Sequence, residues 1–128
     1  MRVVHGALDE LTYHLTRVRF SHAAAHTWRP AINAYRCETC LRLCVDLAGV
    51  DRAEIDLQIS PHRLVLHGTR DIVEPEDVHG RPLQTIAMEI DYGPFERSFD
   101  LPAEIDVDQA RAEQKNGLLW ICLPLKNR

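Results

Sequence analysis

Three cysteines stand close together, Cys37, Cys40 and Cys44, and they are the residues of this chain best equipped for chemistry. Two thiols with two residues between them can close a disulfide or offer two ligands to zinc. If Glu38-Thr39 is a two-residue turn, Cys37 and Cys40 face one another across a hairpin. Cys44 lies four residues further along an extended strand, roughly 13 Å away, too far to share that site. His22 and His26 upstream would complete a four-ligand set only if the N-terminal segment folded back, because an extended 32–37 carries Cys37 roughly 20 Å from it. Free thiols, a disulfide and a metal-bound pair are the three states open to Cys37 and Cys40, and free thiols are the ordinary state in a reducing compartment. The seven histidines have no other catalytic context. The chain has no phosphate-cradling glycine loop, no G-x-S-x-G elbow and no H-E-x-x-H pair, so the expectation is a protein that is not an enzyme and needs no cofactor or metal.

The elements that must position these residues are short strands. Expected strands cover about Ile32–Cys37, Leu41–Leu47, Glu54–Ser60, Arg63–His67, Thr85–Ile90, Phe95–Leu101, Ala110–Lys115 and Leu118–Leu123. Ile55, Leu57 and Ile59 alternate with Asp56 and Gln58, the period of a strand with one buried face. Turn chemistry bounds the strands at Ala48-Gly49, Ser60-Pro61, Gly93-Pro94 and Asn116-Gly117, the last of which calls for positive φ at both residues. Short alternating strands with frequent turns predict an all-β, immunoglobulin-like antiparallel sandwich. Residues 1–29 read as an arm, in which Leu8, Leu11, Leu15 and Val18 recur at helical spacing with Asp9 and Glu10 early in the segment and Arg17 and Arg19 late.

Size and charge narrow the partners. A chain of 128 residues is one domain, large enough to bury a core without disulfide staples. The net charge is −4, with about +2 on residues 1–30 and −6 on the rest, and only two lysines occur. That balance excludes the clustered basic surface of a nucleic-acid binder. No apolar stretch approaches the ~20 residues of a membrane span. Without an export signal, four cysteines fit a reducing cytoplasm.

One segment departs from the strand rhythm. Between Gly68 and Gly93 the chain makes a long excursion whose first part, Asp71 to Arg81, is acidic and turn-rich. Its second part sets Ile86, Met88 and Ile90 on one face and Thr85, Ala87 and Glu89 on the other. A half-apolar strand on a long tether must pair with something, and excursions of this length usually have a purpose.

Two motifs and their order carry a resemblance. Tyr92-Gly93-Pro94-Phe95-Glu96-Arg97-Ser98-Phe99-Asp100-Leu101-Pro102 and Ala112-Glu113-Gln114-Lys115-Asn116-Gly117-Leu118-Leu119 resemble the G-x-F-x-R-S-F-x-L-P and A-x-x-x-N-G-x-L signatures of the α-crystallin domain of small heat-shock proteins. Trp28-x-Pro30, Asp46-Leu47-x-Gly49-Val50 and Leu64-x-Leu66-x-Gly68 fall in the matching order. The resemblance implies an α-crystallin domain over 30–125, with a dimerisation strand inside a long loop at 71–92 and a vestigial tail at 126–128. It implies a bacterial-type chaperone that holds partly unfolded proteins without ATP, and a homodimer or small oligomer in which Thr85, Ile86, Met88 and Ile90 cross to a partner while Arg97 pairs with a carboxylate at the interface.

In such proteins a C-terminal I-x-I motif docks between the strands matching Glu54–Ser60 and Ala110–Lys115. Leu123-Pro124-Leu125 imitates it, but Leu123 is required as a core residue. Ile55, Leu57 and Ile59 would then border an unfilled groove open to clients, with Leu8, Leu11, Leu15 and Val18 as a second client surface; packing in their own core or dimer is the alternative use of both sets. Trp120 and Cys122 make the outer face of the last strand oilier than the family pattern. Two other readings remain: a CS-type co-chaperone module that docks a folded partner, and a thiol- or zinc-responsive regulator using Cys37 and Cys40.

Overall fold

Alternation of apolar and polar residues along the strands produces two layers with one shared interior, antiparallel throughout except where the first strand joins in parallel. The computed structural model describes residues 2–5, 27–72 and 74–126, the first four by their backbone alone. The strands are β1 (Arg2–His5), β2 (Ile32–Arg36), β3 (Cys40–Asp46), β4 (Ile55–Ser60), β5 (Arg63–Arg70), β6 (Gly93–Asp100), β7 (Arg111–Lys115) and β8 (Leu118–Pro124). One sheet has the order β1-β4-β5-β6 and the other β2-β3-β8-β7. The all-β sandwich is the fold expected from the strand pattern, and most strand ends fall within a residue or two of their expected places.

The core is the inward face of every central strand. Leu41, Leu43 and Val45 of β3 meet Leu119, Ile121 and Leu123 of β8, and these pack on Ile55, Leu57 and Ile59, Leu64 and Leu66, and Phe95 from the other sheet. Each such side chain contributes about 1.5–3 kcal/mol by leaving water. Leu123 is fully buried and Leu125 packs against the same core, so both outer residues of the I-x-I imitation serve their own sandwich.

The turn between β7 and β8 takes the geometry its residues favour. Asn116 and Gly117 have φ of 53° and 79°. The Gly117 carbonyl accepts from the Leu47 amide at 2.9 Å, and a Cβ on Gly117 would sit 3.2 Å from the Ala48 Cα. Glycine therefore suits both the backbone sign and the close approach.

Two segments of the expected arm belong to the body. Arg2–His5 forms a strand paired in parallel with β4, Arg2 opposite Asp56 and His5 opposite Ile59. Its signal is only Val3-Val4, two β-branched residues in a stretch too short to show a period. Trp28 is tied to β6: its amide donates to the Pro94 carbonyl, its indole Nε1 donates to the Gly93 carbonyl at 3.0 Å, and its ring lies 5.3 Å from that of Phe95. The Arg70 guanidinium stacks 4.2 Å above the same indole. Trp28→Ala removes all but the backbone bonds, and for a half-buried ring we expect a loss of about 2–3 kcal/mol in urea unfolding. The helix expected around Leu8, Leu11, Leu15 and Val18 lies outside the described residues.

Candidate functional site

The long excursion is built as a tether and a bare ribbon. Asp77 organises its first part: Oδ1 accepts from the amides of His79 (2.8 Å) and Arg81 (3.0 Å), and Glu76 bridges to Pro82. Arg70 fixes its far end, donating from Nε to the Asp91 carbonyl at 2.7 Å while Nη1 reaches the Ala48 carbonyl at 3.0 Å. Between these anchors, Thr85–Ile90 is neither helix nor strand within this chain. The strand expected here, one that the family resemblance assigns to a partner's sheet, is not formed within the single chain. A strand is defined by a neighbour to bond with, and no described strand lies alongside this ribbon. Its apolar residues point to solvent, with Ile86 95%, Met88 49% and Ile90 77% exposed.

A bare edge lies elsewhere on the molecule. Among the described strands β2 is the outermost of its sheet, paired with β3 on one side only. Beside it runs an apolar groove of about 280 Å³, whose walls include Ile32, Ala34, Leu41, Leu43, Phe99 and Leu101. Arg97 sits at the same margin. Its Nη1 donates to the Pro30 carbonyl at 2.9 Å, and its guanidinium lies 5.0 Å from the Phe99 ring. The buried Nε has no hydrogen-bond partner among the described residues. Burial, reinforced by Arg29, pushes the Arg97 pKa down from its ordinary value. A buried, unsatisfied cationic donor is costly unless an acceptor arrives.

The expected client groove on β4 is not open. Ile55, Leu57 and Ile59 are at most 1% exposed and belong to the core, which corrects their reading as surface that borders a free groove. The strand's inward face is consumed by the opposite sheet, and its outer backbone edge is taken by Arg2–His5.

The cysteine pair forms a third feature. The Cys37 amide donates to the Cys40 carbonyl at 2.9 Å across Glu38-Thr39, and the two Sγ atoms lie 3.0 Å apart. The Thr39 amide and hydroxyl also approach the Cys37 sulfur, at 3.4 and 3.3 Å. No disulfide is formed; Cys44 is buried and Cys122 half-buried. Among the described residues no group of three or more His, Cys, Asp or Glu could hold a metal ion, and His22 and His26 lie outside those residues. No helix among them is long and apolar enough to cross a membrane.

Residues 35–128 match the family model described as Hsp20/alpha crystallin family. The chain belongs to that family. Spore protein SP21 of Stigmatella aurantiaca is 32% identical over 95 residues, which are 74% of this chain and 54% of that protein. Small heat shock protein C2 of Rickettsia felis is 33% identical over 84 residues, 66% of this chain and 52% of its own length. The chain thus spans about half the length of these two relatives. The crystal structure of hspA from Xanthomonas axonopodis superposes with a TM-score of 0.67 at 28% identity, over 79% of this chain and 97% of that one. A small heat-shock protein from Xylella fastidiosa gives 0.67 at 27%, over 80% and 91%.

The family's motif residues have clear structural work in this Hsp20/alpha crystallin chain. Phe95 is the fully buried aromatic that Trp28 covers. Gly68 lets the ring of Phe95 and the backbone at Glu54 come together, since no Cβ would fit between them. Arg97 and Phe99 line the free margin described above. Sequence reasoning missed Arg70, whose guanidinium joins Trp28, Ala48 and Asp91. A lone arginine at a strand end carries no local signal of that role.

Proposed function

We propose that this chain is an ATP-independent holdase that works as a strand-exchanged dimer, binding partly unfolded proteins and suppressing their aggregation. Membership of the Hsp20/alpha crystallin family supports the chaperone class. The observation that carries the assembly is the bare ribbon with Ile86, Met88 and Ile90 turned outward. Its complement is the unpaired edge of β2 with its apolar groove. Six residues from Thr85 to Ile90 span about 20 Å and the five of β2 about 16 Å, a near match for pairing. A second copy laid along β2 satisfies both backbones, covers the groove and brings acceptors toward the orphaned Nε of Arg97.

Clients are held by two surfaces in this reading. One is the apolar set Leu8, Leu11, Leu15 and Val18. The other is the β4 edge, where an extended client segment replaces Arg2–His5 as the added strand. Heating an aggregation-prone enzyme with and without the protein tests the holdase: scattering falls in proportion to added protein, and unchanged scattering at molar excess defeats the reading. Solution mass tests the exchange separately. A monomer at micromolar concentration would remove the dimer and favour a module that docks a folded partner.

A further inference from the structure

We propose that Cys37 and Cys40 form a reactive dithiol that exchanges with small disulfides such as oxidised glutathione and closes to an intrachain Cys37–Cys40 disulfide. The geometry is that of a primed pair. Both thiols sit on one two-residue hairpin loop with their Sγ atoms 3.0 Å apart, so closure needs little movement of the backbone. Cys37 is exposed and open to a small reagent, whereas Cys44 is buried.

The two thiols are also unequal. Hydrogen bonding from the Cys40 thiol, and then from the Thr39 hydroxyl and amide, pulls the Cys37 thiol down from 9.0 to about 7. The Cys40 thiol is pushed up, chiefly because it donates to Cys37. This assigns the order of events. The Cys37 thiolate attacks one sulfur of the small disulfide, breaking its S–S bond and expelling one thiolate. Cys40 then gives up its proton and attacks the Cys37 sulfur of the mixed disulfide, expelling the second small thiol. Two electrons pass from the protein pair to the reagent, which leaves as two thiols.

The loop is placed to transmit the change. The Thr39 carbonyl accepts from the Leu125 amide at 2.9 Å, and Lys126 pairs with Glu104 at 3.3 Å beside it. Thr39, Glu104, Leu125 and Lys126 line one hollow of about 660 Å³. Closing the disulfide therefore stiffens the anchor of the C-terminal segment as well as the end of β2.

The experiment uses the full chain, reduced and free of oxygen, incubated with oxidised glutathione, quenched in acid and alkylated. Tryptic cleavage after Arg36 and Arg42 leaves both cysteines in one peptide. The expected product is that peptide unalkylated and two hydrogens lighter, with Cys44 and Cys122 alkylated. Cys40→Ser stalls as a glutathione adduct on Cys37, and Cys37→Ser reacts at least ~10-fold more slowly at neutral pH. Alkylation of Cys37 in the unmodified chain is half-maximal near pH 7. Full alkylation of Cys37 and Cys40 after oxidation, a dominant Cys40–Cys122 or interchain bond, or an alkylation midpoint at the ordinary thiol value overturns the proposal. None of these outcomes depends on the chaperone reading.

Discussion

If the proposed strand exchange joins the subunits, the double substitution Ile86→Asp with Ile90→Asp is expected to yield folded monomers that no longer protect clients. Both side chains are turned to solvent in the single chain, 95% and 77% exposed, so the isolated sandwich owes them almost nothing. Substitutions at such positions usually move subunit stability by less than about 0.5 kcal/mol. On a neighbouring β2 edge the same side chains would be buried, each contributing about 1.5–3 kcal/mol. Losing two of them costs about 4 kcal/mol per ribbon, roughly a thousandfold in dissociation constant. A two-fold dimer holds two ribbons, so the loss counts twice. The check is solution mass alongside a thermal melt. A variant that keeps the parent's mass would show that the ribbon is not what joins the subunits.

Gly68→Ala is expected to have the largest effect on the subunit itself. A Cβ at this position would lie 2.0 Å from the Glu54 carbonyl oxygen and 2.6 Å from Cζ of Phe95. Neither neighbour can yield cheaply. Gly68 is paired with Ile55 in the β4–β5 ladder, so moving Glu54 opens the start of β4. Phe95 is fully buried beneath Trp28 and cannot swing away without leaving a void. We expect a loss of about 3 kcal/mol, the upper end of the usual cost of overpacking. For a chain of this size that lowers the melting temperature by roughly 10–15 °C. Gly93 provides the contrast: no atom lies within 4 Å of its added Cβ, and only its φ of 85° opposes a side chain. Gly93→Ala should therefore cost only about 1–2 kcal/mol. A Gly68→Ala melt within about 3 °C of the parent would contradict the steric account.

The two substitutions divide the molecule between assembly and fold. The ribbon is expected to be dispensable for folding, because Ile86 and Ile90 are exposed and no described strand covers it. The crowded side of Gly68 faces Glu54 and Phe95, so its replacement is expected to act on the fold of the subunit. Measuring both properties on both variants separates a failure to fold from a failure to associate.

Much of this was readable along the chain. Alternation such as Ile55-x-Leu57-x-Ile59 is written in adjacent residues, because a strand's side chains change faces at every step and the apolar face must be covered. The Asn116-Gly117 turn was equally legible, since the φ of 53° and 79° found there are those the two residues tolerate. The facing of Cys37 and Cys40 followed from the length of their turn. What could not be read was who pairs with whom. Whether Ile55, Leu57 and Ile59 face a groove or a core depends on the sheet opposite, whose residues lie up to 68 positions away in the chain. Arg2–His5 is too short to show a period, and only pairing with the edge of β4 makes it a strand. Arg70 joins Trp28, Ala48 and Asp91 through contacts that no spacing announces. Local sequence determined which face of each strand is oily; the tertiary structure alone decided what covers it, because burial is a property of distant residues brought together.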